Sequence, residues 1–177
     1  MKENKSRKDY FQGKYRVAPA RLSGWDYRNR ACYFATICTH NMIPAFGAIV
    51  NGKMELSELG LFANNSIDGI NKNKENVKVI NHVVMPNHVH LLVYLTNNTD
   101  HKESNRFGPL LKDSLSSLLN HFKGRITKHA NNKSLFWPGW HERFHDHIVR
   151  SEESYEKITQ YISDNPLNWS SDRYFQQ

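Results

Sequence analysis

His88 and His90 carry the clearest chemistry in this chain. They stand in Val83-Val84-Met85-Pro86-Asn87-His88-Val89-His90-Leu91-Leu92-Val93, a run otherwise apolar and β-branched that reads as a strand. Strand side chains alternate faces, so the two imidazoles share one face while Val89, Leu91 and Val93 take the other. Two neighbouring histidines on one face are half of a metal site. A second pair lies near the C-terminus, on a helix that Ser151 can cap and whose first turn holds Glu152 and Glu153, suited to the positive end of the dipole. At roughly 100° per residue, Tyr155, Ile158 and Ile162 form its apolar stripe. Tyr161 and Asn165 sit together on the flank, one turn apart. A phenol and an amide so placed can both point at something held by the core. The plainer alternatives are a boundary tyrosine reaching water and an asparagine chosen for its turn preference.

Several elements must position these groups. Ala31 to Thr39 reads as a first strand. Phe46 to Val50 and Lys53 to Leu56 flank Asn51-Gly52, a hairpin signal because that dipeptide suits positive φ angles. Ser57 then caps a helix in which Leu61, Ile67 and Ile70 recur at helical spacing. Val77 to Val84 and Asn87 to Leu95 are two strands with Met85-Pro86 as the bend between them, since proline cannot donate to a ladder. Thr96 to Pro109 reads as a surface loop. From Leu111 to about Ala130 an amphipathic helix follows, with Leu115, Leu118, Leu119, Phe122 and Ile126 on one side. Phe136-Trp137-Pro138-Gly139-Trp140 is an aromatic turn, and His141 to Arg150 alternates like a strand. Pro166 closes the last helix by excluding Asn165 from ordinary helical continuation.

The 177 residues, 38% apolar and 12% aromatic, suffice for one cored domain. Lys and Arg number 24 against 17 Asp and Glu, a formal +7 that favours a polyanionic partner. Basic residues crowd the first 30 positions, where Arg16 and Arg21 can lie along phosphates. Lys123 and Arg125 on the amphipathic helix offer phosphate contacts, and Trp25 offers a stacking surface. Cys32 and Cys38 would be roughly 20 Å apart along one strand, beyond disulfide reach. No early signal stretch and no apolar run of membrane-spanning length occurs, so a soluble, cytoplasmic protein is expected. His141-Glu142-Arg143-Phe144-His145 satisfies the His-Glu-x-x-His pattern of zinc peptidases, but that pattern needs a helix. In a strand its histidines stand roughly 13 Å apart, too far to share one zinc.

Taken together, the motifs resemble the REP-associated tyrosine transposases of the His-hydrophobic-His (HUH) superfamily. The matching stretches are Arg21-Leu22-Ser23-Gly24-Trp25-Asp26-Tyr27, Leu56-Ser57-Glu58-Leu59-Gly60, Met85 to Leu92, Phe122-Lys123-Gly124, Asp146-His147-Ile148-Val149-Arg150 and Tyr161-Ile162-Ser163-Asp164-Asn165-Pro166. They follow the family's order from about residue 15 to 169.

The resemblance implies an α+β, ferredoxin-like fold: an antiparallel sheet with helices packed on one face, the histidines on a central strand and the tyrosine helix docked nearby. It places a catalytic domain at 31–170, between a basic arm at 1–30 and a short tail at 171–177. By carry-over, His88 and His90 ligate a divalent metal, Mg²⁺ or Mn²⁺, and Asn165 is the third protein ligand. Tyr161 is the nucleophile, and Lys157, one turn before it, favours the phenolate or holds the phosphate. The implied activity is metal-dependent cutting and strand transfer of single-stranded DNA at hairpin-forming palindromic repeats, through a 5′-phosphotyrosine. Such a protein would be nucleoid-associated, and its state, monomer or homodimer, is left open. Because metal binding needs neutral imidazoles, activity should fall in mild acid. A reading from another class is a non-catalytic binder of hairpin or single-stranded nucleic acid that uses the arm and Trp25, Tyr27, Trp137 and Trp140 for stacking.

Overall fold

The structure, a computed structural model, describes residues 10–11, 15–16, 22, 25–96 and 112–175. Two short strands, β1 (Tyr10–Phe11) and β2 (Tyr15–Arg16), pair with each other. The main elements follow as β3 (Ala31–Thr39), the hairpin β4 (Gly47–Val50) and β5 (Lys53–Leu56), α1 (Glu58–Asn73), β6 (Val77–Val84) and β7 (His88–Leu95). α2 (Leu115–Asn132), β8 (Trp140–Val149) and α3 (Glu152–Asp164) complete the order. Four strands form one sheet in the order β6-β7-β3-β8, every neighbour antiparallel. With the hairpin set aside, the β3-α1-β6-β7-α2-β8 connectivity is the split βαβ arrangement of a ferredoxin-like α+β fold. The two central strands are β7, which carries the histidines, and β3.

Local chemistry sets the boundaries. Asn51 and Gly52 turn the hairpin with φ of 51° and 73°, as an Asn-Gly turn requires. Ser57 Oγ accepts from Gly60 N at 3.1 Å and opens α1. α2 starts later than the hydrophobic periodicity indicates, because Ser114 caps it by accepting from Ser117 N at 3.1 Å. Pro86 sits at the β6–β7 bend, and its carbonyl accepts from Ala45 N and Phe46 N. Asn165 departs from expectation. Although a proline follows, it keeps helical angles (φ −55°, ψ −42°), so the turn begun in α3 continues through it.

The sheet has two unlike faces. On one, Tyr33, Ala35, Ile37, Val89, Leu91 and Val93 pack against Ile67 of α1 and Leu119, Phe122 and Ile126 of α2, all buried. Each such large side chain contributes about 1.5–3 kcal/mol relative to exposure. On the other face, Thr36 stands opposite His90 and Phe34 opposite Leu92, and α3 docks over this side. The helices packed on the apolar face are therefore α1 and α2, and the tyrosine helix lies across the sheet from them.

The stacking expectation changes with this packing, and the strand reading of His141 to His145 holds. Tyr27 is buried in the core, and Trp137 and Trp140 pack against it with Phe46, which withdraws them from base stacking. Trp25 also rests on the core and donates its indole N–H to Tyr33 Oη at 3.1 Å. His141 and His145 both lie in β8, so the peptidase pattern has no helix to draw its histidines together. Cys32 and Cys38 are free thiols. Among the described residues no helix is long and apolar enough to cross a membrane.

Gly60 tests the α1–β4 junction, because helix propensity and packing pull in opposite directions there. A Cβ at this position would meet Phe46 O at 2.0 Å. Alanine should gain about 1 kcal/mol as a helix former. The overlap costs about 1–3 kcal/mol or more and should win, since backbone cannot swing aside. Gly60→Ala is expected to lower the urea midpoint of unfolding; a raised midpoint would show that the junction is looser than described.

Candidate metal centre and nucleophile

Pleat parity brings His88 and His90 to the same side of β7, and both side chains are fully buried. Their Nε2 atoms face each other at 3.0 Å. The partner behind the His88 ring fixes which of its nitrogens holds a proton. Asn87 Nδ2 donates to the carbonyls of Met42 (3.0 Å) and Tyr174 (2.8 Å), so its Oδ1 is an acceptor. That oxygen lies 2.9 Å from His88 Nδ1, which must be the protonated nitrogen. Thr36 Oγ1, 2.7 Å from His90 Nδ1, can hold the second ring in the same tautomer. In that tautomer each Nε2 carries its lone pair. Two lone pairs at this separation repel unless a cation lies between them.

The remaining groups close the site from α3 and the turn after it. Tyr161 Oη is 3.3 Å from His90 Nε2 and donates to Asp172 Oδ2 at 3.0 Å. Asn165 is buried, and its Nδ2 donates to the same Asp172 oxygen at 2.7 Å. Its Oδ1 is buried and accepts no hydrogen bond. Leaving such an acceptor unpaired costs about 1–3 kcal/mol, so the atom calls for a partner from outside the chain. The phenol of Phe34's neighbour is also fixed sideways: Phe34 meets the Tyr161 ring edge-on at 6.0 Å and the His90 ring at 5.1 Å.

This donor set fits a divalent cation. Two ligands about 2.1 Å from a metal at right angles are about 3.0 Å apart, which is the spacing of the facing Nε2 atoms. His88, His90 and Asp172 form a group that could hold a metal ion, their ligand atoms all within 4.8 Å of one another. Burial holds both imidazoles well below their ordinary pKa; Asp172 and Asn165 partly oppose this at His88, while Arg173 adds to it at both rings. Neutral rings are the metal-binding form, and the pair stays neutral through mild acid. The loss of activity expected there moves to lower pH. Burial, then the Asp172 carboxylate, raises the Tyr161 pKa, so Tyr161 rests as a phenol.

Of the residues singled out in the sequence, the fold gathers His88, His90, Tyr161 and Asn165. Lys123 and Arg125 are on α2, on the opposite face of the sheet. Lys123 donates to His141 O at 2.8 Å and lies over the Trp140 ring. Lys157 pairs with Glu153 on the exposed side of α3. Arg16 lies in β2, but its side chain, like Arg21, falls outside the described residues. Sequence reasoning passed over Thr36, which contacts His90, and Asn87, which sets the His88 tautomer, and Asp172, Arg173 and Tyr174, which lie in the stretch read as a tail. Their places come from long-range pairing. The β3–β7 register puts Thr36 beside His90, and a single turn at Trp169–Ser171 folds the chain end back over the pair.

No family model matches the chain. An uncharacterized protein of Haemophilus influenzae is 29% identical over 177 residues, covering 94% of this chain and 97% of that protein. A solved structure of a REP-associated tyrosine transposase bound to a REP hairpin is similar over 86% of this chain and 77% of its own, with a TM-score of 0.55 and 18% identity. A Deinococcus radiodurans protein named as a candidate transposase covers 81% of this chain and 95% of its own, at a TM-score of 0.42 and 16% identity. The first of these structures shows a shared fold, the one that the sequence resemblance implied.

The histidine pair makes stability depend on pH in a defined direction. Because both folded pKa values are depressed, the unfolded chain binds protons where the folded chain does not. The metal-free fold should therefore lose stability as pH falls below the ordinary imidazole value of 6.5 towards about 4, where His88 itself takes up a proton. Thermal unfolding in chelator across this window should show a falling midpoint, with a shallower slope in a His88→Gln, His90→Gln double variant. Equal slopes in the two proteins would mean that the imidazoles are not held neutral by burial.

Proposed function

We propose that this chain is a metal-dependent single-stranded DNA endonuclease and strand transferase of the REP-associated tyrosine transposase kind, acting at hairpin-forming repeats through a 5′-phosphotyrosine. The observation that carries the reading is one cluster: the facing His88 and His90 Nε2 atoms, the unpaired Asn165 Oδ1 and the Tyr161 hydroxyl against His90. The fold shared with a hairpin-bound transposase supports it. His88, His90 and Asn165 would hold the cation, and Mn²⁺ suits two imidazoles better than Mg²⁺, which prefers oxygen. A bound divalent ion supplies Lewis-acid stabilisation of the charge gained on a non-bridging phosphate oxygen.

The chain's own residues do the rest. Tyr161 Oη attacks phosphorus, the Oη–P bond forms, and the P–O3′ bond breaks to release a 3′-OH. The phosphotyrosine keeps the energy of the phosphodiester, so a 3′-OH from another strand can reverse the step without ATP. Phe34, edge-on to the Tyr161 ring, restricts its swing and so shortens the search for an in-line approach. Exposed Arg143, His145 and His147 share the face of β8 that looks toward the site, and Arg173 stands at its rim. This strip, charged at Arg143 and Arg173, would carry the phosphates of the strand leading to Tyr161, rather than Lys123 and Arg125 of α2. The stacking platform of a purely binding protein is not favoured, because Tyr27, Trp137 and Trp140 are committed to the core.

Hairpin oligonucleotides labelled at the 5′ or the 3′ end, incubated with Mn²⁺ or EDTA and run on denaturing gels, test the reading. An adduct on 3′-labelled strands alone, lost in EDTA, is the expected result. Tyr161→Phe should cut adduct formation by about 10³-fold or more while retaining hairpin binding. Undiminished cutting by that variant would remove Tyr161 from its role.

A further inference from the structure

The Tyr161 proton points at a carboxylate that the proposed ligand set of His88, His90 and Asn165 leaves out. Asp172 is the residue that ends the Trp169–Ser171 turn, where its own N–H donates to Trp169 O at 3.0 Å. Three donors fix its carboxylate. Tyr174 N reaches Oδ1 at 2.7 Å, while Tyr161 Oη and Asn165 Nδ2 both reach Oδ2, at 3.0 and 2.7 Å. One oxygen thus touches the attacking hydroxyl and the back of a metal-facing amide. That carboxylate also lies within 4.8 Å of the histidine ligand atoms, so a base and a ligand are the two roles open to it.

We propose that Asp172 is the base of this site, its Oδ2 taking the phenol proton as Tyr161 Oη attacks phosphorus. The inference rests on the nuclease reading above and deepens it. The 3.0 Å contact lies within the window of about 2.6–3.2 Å that a general base needs. The step balances as follows: the Oη–P bond forms, the phenol proton moves to Asp172 Oδ2, and the P–O3′ bond breaks with its electron pair left on O3′. That oxygen takes a proton from water. In strand transfer the sequence runs backwards, and protonated Asp172 returns its proton to the departing phenol. The same carboxylate accepts from the Asn165 amide N–H, which leaves Oδ1, on the His88 side, as the amide's open atom. The base and the metal-facing amide are therefore aligned by one side chain. Lys157, the residue one turn before Tyr161, is engaged with Glu153 and makes no contact with the hydroxyl among the described bonds.

The test is single-turnover adduct formation with Mn²⁺ and a labelled hairpin, comparing the wild-type chain, Asp172→Asn and Asp172→Ala. Either variant should slow the adduct by about 10²–10⁴-fold, the usual worth of a general base. Replacing Tyr161 with a fluorinated tyrosine that ionises near neutral pH should restore at least about tenfold of that rate in Asp172→Asn, because an acidic nucleophile needs less help. The same replacement should give no gain in His90→Ala. Added formate should likewise rescue Asp172→Ala. Mn²⁺ affinity should fall by no more than about 10–100-fold in Asp172→Asn, the cost of a lost outer partner. A loss matching His90→Ala would make Asp172 a ligand and overturn the proposal. The ¹⁹F resonance of 3-fluorotyrosine at position 161, read in metal-free protein, should move on Asp172→Asn whether or not the chain is active. A shift without rescue overturns the base while leaving the contact. Absence of any adduct with the wild-type chain overturns the nuclease reading and the base together, and an unmoved resonance removes the contact itself.

Discussion

Two imidazole nitrogens face each other across 3.0 Å in a buried layer, and with both rings protonated on Nδ1 their lone pairs oppose, an arrangement that the rest of the molecule maintains. Left to themselves the rings would rotate apart or share a proton. Asn87 and Thr36 prevent the first by gripping the far nitrogens, and burial opposes the second by penalising charge. Asn87 is itself held by two backbone carbonyls from distant parts of the chain, at Met42 and Tyr174. In that tautomer positive charge between the rings relieves the clash, and His88, His90 and Asp172 form a group that could hold a metal ion.

The sheet supplies the rigidity for this. β7 is central and nearly all buried, and its two faces do different work on alternate residues. Val89, Leu91 and Val93 weld it to α1 and α2, while His88, His90 and Leu92 look the other way. A slip of one residue in the β3–β7 register would bury the imidazoles among aliphatic side chains and expose three core residues, so the hydrophobic face locks the chemical one in place. α3 meets the chemical face with one fully buried aliphatic residue, Ile162, flanked by Tyr161 and Asn165. The tyrosine is held by contacts that are mostly polar and aromatic, and it is the part of the site whose position depends most on single hydrogen bonds.

Local signals were enough for most of the scaffold. Alternation in Val83–Val93, the Asn-Gly turn, and the serines at 57 and 151 each act within a few residues, and the elements they mark are present where the sequence places them. The pairing of Tyr161 with Asn165 was likewise readable, because one turn of helix is a local distance. Asn165 retains its helical angles before Pro166, which a local rule disfavours and which the site requires. What the sequence concealed is set by tertiary closure. Thr36 is 54 residues from His90, and nothing in its neighbours marks it. Asp172 and Tyr174 follow a proline-broken helix and look like a tail until the chain folds back. Lys123 and Arg125 were read as phosphate contacts from charge and helix position alone, and only the sheet shows them to be on the far side.

Electron spin-echo spectroscopy of Mn²⁺ added to the isolated chain would test the central claim most directly, since it counts nitrogens bonded to the ion. The account predicts two histidine nitrogens, reduced to one by His88→Ala and to one by His90→Ala. Mn²⁺ that binds with no directly coordinated nitrogen, or a signal indifferent to both substitutions, would contradict it.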